Sequence, residues 1–125
     1  MKTFVREDIL SAEITGTYNF NEAKSIFSEL MQLCSSQNKQ KLLLDVRPME
    51  GVISFFDRFN LANIFQDYID RYIKMVILIK QNPAYREKIF ETVANNRGVF
   101  IRVVYDEEEA IRFLKDIDLR TAEHG

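Results

Sequence analysis

Two short, nearly unbroken apolar runs, Lys41-Leu-Leu-Leu-Asp-Val46 and Lys74-Met-Val-Ile-Leu-Ile-Lys80, constrain this chain more than any other feature. Runs of this kind do not alternate between an inner and an outer face, so each reads as a strand covered on both sides, the situation of a strand inside a parallel sheet. Parallel neighbours need a crossover of a dozen or more residues between them. The segment from about Ser54 to Tyr72 has helical spacing and is long enough for a right-handed crossover. Asn82-Pro83 then supplies a cap and a first-turn proline for another helix, with Ile89, Phe90, Val93 and Ala94 inward and Gly98 as its stop. A last strand follows from Val99 to Tyr105. The expected parallel strands are therefore Leu42–Val46, Met75–Ile79 and Val99–Val104.

The N-terminal part reads differently. Thr3–Arg6 and Ile9–Tyr18 form two strands joined by a tight turn at Glu7-Asp8, an antiparallel hairpin at the edge of the sheet. Leu10, Ala12, Ile14, Gly16 and Tyr18 fall on one face of the second strand, and Ser11, Glu13, Thr15 and Thr17 on the other, the period of a half-buried strand. Asn19-Phe-Asn-Glu22 opens a first helix, with Ala23, Ile26, Phe27, Leu30, Met31 and Cys34 at helical spacing to about Ser35. Asp106-Glu-Glu-Glu109 caps the final helix and complements its dipole, while Ala110, Phe113, Leu114 and Ile117 face inward. The order is ββαβαβαβα: a single α/β domain over residues 1–118, with a mixed sheet that starts antiparallel and continues parallel, and a tail at 119–125.

Composition limits what such a domain does. With 125 residues the chain buries about two-thirds of its unfolded surface and needs no disulfide or metal to fold. Its net charge of −2, with both signs interspersed, provides no basic field for phosphates, so nucleic acid is not an expected partner. The single cysteine, Cys34, sits on the apolar stripe of the first helix and reads as core. No charged-then-apolar leader precedes the first strand and no apolar run spans a bilayer, so a cytoplasmic protein is expected. The only histidine, His124, lies in the tail, which leaves no triad, thiol–imidazole pair or metal cluster. Gly51 and Gly98 stand alone, so no glycine-rich loop cradles a phosphate. No spacing singles out a carboxylate pair, and the chain is read as non-enzymatic, with no cofactor.

The hairpin, the capped helix after Tyr18, the Leu42-Leu-Leu-Asp45 strand and the crossover helix together resemble the STAS fold of bacterial anti-sigma-factor antagonists. A narrower resemblance, to small stand-alone SpoIIAA-like proteins, rests on Asp45-Val-Arg47, Asp57-Arg58, and Glu91-Thr-Val-Ala-Asn-Asn-Arg-Gly98 followed by a strand and Asp106-Glu-Glu-Glu-Ala110. It implies a regulatory module that works through protein contacts. Such proteins are also compared in fold with lipid-transfer domains of the CRAL-TRIO type, which implies an apolar ligand as the alternative. In the anti-sigma antagonists a serine opening the crossover helix, within an Asp-Ser-Ser-Gly motif, is phosphorylated to switch binding off. Counted from the strand aspartate, Ser54 holds that position, but Ile53 stands where the motif has Asp and Phe55 replaces the second serine. Read from the residues alone, Ser54 is an N-cap with Asp57 as its capping-box partner.

The crossover helix carries surplus apolar surface. Asn60, Asn63, Gln66, Asp67, Asp70 and Arg71 gather on one side, while the apolar arc from Phe55 to Tyr72 spans on the order of 220°, against the ~100° needed to pack on one sheet. Phe56 projects from the middle of the polar side and Arg58 from the middle of the apolar side. A guanidinium there must find a carboxylate or escape to water, and Asp45 at the end of the preceding strand is the expected partner; alternatively Arg58 and Arg47 present charge to an anionic ligand. Phe55, Phe59, Ala62 and Ile69 are expected to face the sheet, leaving Leu61, Ile64 and Tyr68 on a flank where a second copy docks. The expected interaction surface thus comprises Arg47, Glu50, Ser54, Phe56, Arg58, Leu61, Ile64 and Tyr68, in a homodimer or around a small apolar or lipid-like ligand held between this helix and the sheet.

Overall fold

The first two strands, β1 (Lys2–Arg6) and β2 (Ile9–Glu13), pair antiparallel, and the chain reverses between them at Glu7, whose φ of 57° lies in the left-handed region. The structure is a computed structural model that describes residues 1–68, 73–82 and 100–116, without the side chains of 66–68 and 100. The helix expected after Asn82-Pro83 with its stop at Gly98, the strand residue Val99, Ile69, Tyr72, Ile117, the tail with His124 and the side chain of Tyr68 lie outside the described residues.

The expected parallel strands are present. β3 (Lys41–Asp45), β4 (Lys74–Leu78) and β5 (Phe100–Val104) continue from β2 in parallel, giving a five-stranded sheet in the order β1-β2-β3-β4-β5. Each strand is the next neighbour of the one before it. Right-handed crossovers between strands added in one direction place their helices on the same face, and α1 (Phe20–Ser36) and α2 (Phe55–Tyr68) both cover the face of Leu10, Leu42, Leu44, Met75 and Ile77. α3 (Glu107–Lys115), which follows the last strand, packs on the opposite face, where Ala110 and Leu114 meet Ile9, Leu43, Val76, Leu78 and Val104.

The helix starts follow their caps. Glu22 donates its backbone N–H to Asn19 Oδ1 at 3.0 Å, and Glu109 donates to Asp106 Oδ1 at 2.8 Å. Cys34 is buried, as its place on the stripe predicts, and desolvation pushes its thiol up to about 11. No helix among the described residues is long and apolar enough to cross a membrane.

Two expectations for β2 are corrected. Ser11, assigned to a solvent face, is buried, because it shares the face of Ile9 and Leu43, which α3 covers. The strand also stops short of Tyr18. Ile14 still donates to the Asp45 carbonyl at 2.9 Å, but the backbone leaves the sheet at Gly16, whose φ of 92° an L side chain would resist.

Candidate functional site

The site grows from the carboxyl edge of β3. Arg47 grips Asp45 two residues earlier, Nε donating to Oδ1 at 3.0 Å and Nη2 to Oδ2 at 2.9 Å, while the Arg47 backbone N–H also donates to Oδ1 at 3.0 Å. The hydrogen bonds it donates to Asp45 raise the pKa of the guanidinium, so the fork stays charged. This corrects the expected Asp45–Arg58 pair: both carboxylate oxygens are engaged by Arg47. The local partner wins because closing a two-residue loop costs less ordering entropy than bringing α2 to the strand end.

Beyond Arg47 the loop is pinned by its neighbour after β2. Glu50 donates its N–H to the Gly16 carbonyl at 2.7 Å and accepts from the Tyr18 N–H at 2.8 Å, making a parallel bridge between Thr17 and Glu50. Glu50 therefore acts through its backbone, and its side chain is exposed. At Gly51 the φ of 97° favours glycine, and an added Cβ would stand in ordinary contact with Tyr18 Cβ at 3.5 Å. Tyr18 also donates its phenolic O–H to Asp57 Oδ2 at 2.8 Å, fastening the first turn of α2 to the entry of α1. Nothing in the sequence pairs these two residues, which stand 39 positions apart.

Ser54 is the N-cap that its spacing predicts. Its Oγ accepts from the Asp57 N–H at 3.1 Å, its carbonyl accepts from the Arg58 N–H at 2.9 Å, and the residue is exposed. α2 then presents its residues in a phase different from the expected one. Arg58, Leu61, Ala62 and Phe65, at spacing i, i+3, i+4, i+7, form the buried stripe, with Arg58 at 5% exposure and Leu61 at 2%. Phe56 is 71% exposed, in line with its place on the polar side, but Phe55 at 52% and Phe59 at 42% are exposed as well. Leu61 is thus core rather than docking surface, and Ile64 is half-buried. With apolar residues nearly all round the helix, pattern alone did not set its rotation. Packing set it, through the stack of Phe65 on Phe27 of α1 with ring centroids 3.9 Å apart. Phe27 and Phe65 are core neighbours whose pairing the helical spacing of either helix does not reveal.

Beneath α2 the apolar face is not completely filled. A cavity of about 110 Å³ lies between α1, α2 and the sheet, with Phe27, Leu30, Leu44, Leu61, Phe65 and Ile77 deep in its wall. Arg58 also lines it, and its guanidinium carbon stands 5.8 Å from the centroid of the Phe55 ring. Exposed Thr15, Thr17, Asn19 and Glu22 rim the same space. Among the described residues no group of three or more His, Cys, Asp or Glu side chains is placed to hold a metal ion.

An antiparallel hairpin feeding a parallel sheet of sequential strand order, with two crossover helices on one face and a terminal helix on the other, is the SpoIIAA-like (STAS) α/β fold. Among solved structures, the chain is similar to the crystal structure of an anti-sigma factor antagonist from Mycobacterium paratuberculosis, with a TM-score of 0.58 and 14% identity over 92% of this chain and 92% of that one. At that identity the likeness defines the fold alone. No protein-family model and no curated protein matches the sequence.

Proposed function

We propose that this chain is a non-enzymatic regulatory interaction module that binds a second copy of itself through the β3–α2 junction. The observation that carries the reading is the exposure of Val52, Phe55, Phe56 and Phe59 around the exposed Ser54. Phe55 and Phe59 are one helical turn apart and Phe56 lies beside them, so the side chains adjoin. Together they present on the order of 400 Å² of apolar surface, the size of patch that on soluble proteins is often functional. At ~25 cal/mol per Å² this gives roughly 10 kcal/mol before the cost of association, itself about 4–15 kcal/mol, which points to a weak, switchable contact. A fold held in common with an anti-sigma factor antagonist supports a protein-binding role.

Ser54 is the natural switch within that patch. A phosphate there adds ~1.5–2 negative charges at the N-terminus of α2, which the helix dipole tolerates and an apolar contact does not. Sedimentation velocity over a concentration series tests both parts. Wild type and Ser54→Ala are expected to dimerise reversibly, and Phe56→Asp and Ser54→Asp to remain folded monomers. A wild-type protein that stays monomeric at the highest concentrations overturns self-association; equal association of Ser54→Ala and Ser54→Asp reduces Ser54 to its capping role.

The cavity favours a second reading, that the protein carries a small apolar ligand between α2 and the sheet. Native mass spectrometry of freshly purified protein tests it: a retained mass supports a carrier, and a bare chain under non-denaturing conditions argues against one.

A further inference from the structure

The outer edge of β1 is a second surface, separate from the β3–α2 junction. We infer that it takes an extended segment of a different protein as an added strand, one with carboxylates at alternate positions on either side of an apolar residue. β1 stands at the end of the strand order, its residues are all exposed, and among the described residues no other strand pairs with its outer side. The hairpin decides which backbone groups are on offer. Across a two-residue turn Arg6 and Ile9 bond each other, and by the alternation of an antiparallel ladder Phe4 and Lys2 also bond β2. Thr3 and Val5 therefore turn their N–H and C=O groups outward. An unpaired edge of this kind is a template for strand addition.

The side chains define the strand that fits. Lys2, Phe4 and Arg6 project to one face, Thr3 and Val5 to the other. Phe4 and Val5 are exposed, where an edge strand left in water is better protected by charged residues. An incoming strand with an apolar residue opposite Phe4 covers its ring, and carboxylates two positions to either side fall opposite Lys2 and Arg6. Arg6 already lies 3.6 Å from Glu107, but both side chains are exposed, so that contact is weak and leaves room for a second carboxylate. The same two cations disfavour a second copy. Two β1 strands paired antiparallel with Thr3 opposite Val5 set Lys2 opposite Arg6 twice, and like charges directly opposite one another destabilise the pairing.

The test is an amide NMR titration of the full chain with two capped peptides, Glu-Val-Tyr-Thr-Glu and Lys-Val-Tyr-Thr-Lys. The acidic peptide is expected to shift the Thr3 and Val5 amides saturably and downfield, as they gain hydrogen bonds, and to leave those of Phe55, Phe56 and Phe59 in place. The basic peptide should bind about tenfold more weakly. Val5→Pro removes an outward N–H that β2 does not use, so the variant should fold and lose the peptide. Reversing both charges, Lys2→Glu with Arg6→Glu, should exchange the preference between the peptides, which decides the matter even if the proline variant unfolds. No saturable shift at Thr3 and Val5 with the acidic peptide, equal affinity for the two peptides, or shifts confined to α2 overturns the proposal. Shifts of Thr3 and Val5 that follow protein concentration alone also overturn it, because a second copy is then the occupant. Self-association through the α2 patch is read separately by sedimentation, so either reading can fail while the other stands.

Discussion

Truncating Leu61 should cost far more than truncating Phe56, although both are large apolar residues of the same helix. Leu61 is 2% exposed and Phe56 is 71% exposed, five positions and so about 140° apart around α2. Cutting Leu61 to alanine forfeits roughly 2.4 kcal/mol of transfer free energy at ~0.8 kcal/mol per methylene, and buried leucines truncated elsewhere lose about 2.7–5 kcal/mol once the new void is included. One flank of Leu61 already borders the cavity, so it has fewer packing partners to lose, and the expected loss lies at the lower end, about 2.5–3 kcal/mol. Phe56→Ala should stay within about 0.5 kcal/mol. For a domain of this size 1 kcal/mol moves Tm by roughly 3–5 °C, so Leu61→Ala should melt about 10 °C low and Phe56→Ala within ~2 °C of wild type. Urea unfolding followed by far-UV circular dichroism, at protein concentrations where the chain is monomeric, measures both without a contribution from association. The opposite ranking, with Phe56→Ala the costly change and Leu61→Ala nearly silent, would refute the rotation of α2 on which the exposed patch and the cavity both depend.

Cys34 should leave a signature at alkaline pH. Burial raises its pKa from 9.0 to about 11, so its contribution is fully present below pH 9 and is lost as pH rises through the folded value; Cys34→Ala should flatten that part of the stability profile, and the native thiol should resist a thiol reagent at pH 8. Asp45 should couple to Arg47 and not to Arg58. In denaturant double-mutant cycles Asp45→Asn with Arg47→Met should show a coupling of about 0.5–1 kcal/mol, in keeping with a partly exposed bidentate pair, while Asp45→Asn with Arg58→Met should be additive; the reverse result would restore the longer-range pair.

What the sequence makes legible here is whatever depends on local pattern. The runs at Leu42–Leu44 and Met75–Leu78 leave no choice but strands covered on both faces, and Asn19, Ser54 and Asp106 mark helix starts because a cap acts on an N–H only three residues away. Cys34 follows from the amphipathic stripe of α1 in the same way. The rotation of α2 does not, because apolar residues that nearly encircle a helix give the pattern no preferred face, and the stack of Phe65 on Phe27 decides it from 38 residues away. Partner choice fails for a related reason. Asp45 had two arginines to choose from, and the one adjacent in sequence won. The Tyr18–Asp57 bond and the Gly16–Glu50 pairing are products of β2 and β3 lying side by side, a relation that exists only once the sheet has formed.

Three features of the chain work against its stability, and all three meet at the start of α2. Arg58 occupies the first position of the buried stripe, where an aliphatic side chain would pack without the desolvation that a guanidinium brings, whatever it bonds to. The pocket beside it leaves apolar side chains of α1, α2 and the sheet without packing partners on one side. Phe55, Phe56 and Phe59 stand in water where polar residues would serve the helix equally well. Elsewhere the caps are in place and the terminal helix has acids in its first turn and bases in its last, while smaller departures are found in the exposed Phe4 and Val5 of the edge strand β1 and the buried Lys74 at the start of β4. Departures of this kind are expected where a protein does its work rather than scattered along it. Their concentration within two turns of one helix, at the carboxyl edge of a parallel sheet, where open α/β folds meet their ligands, is the physical support for the proposed interaction surface at the β3–α2 junction.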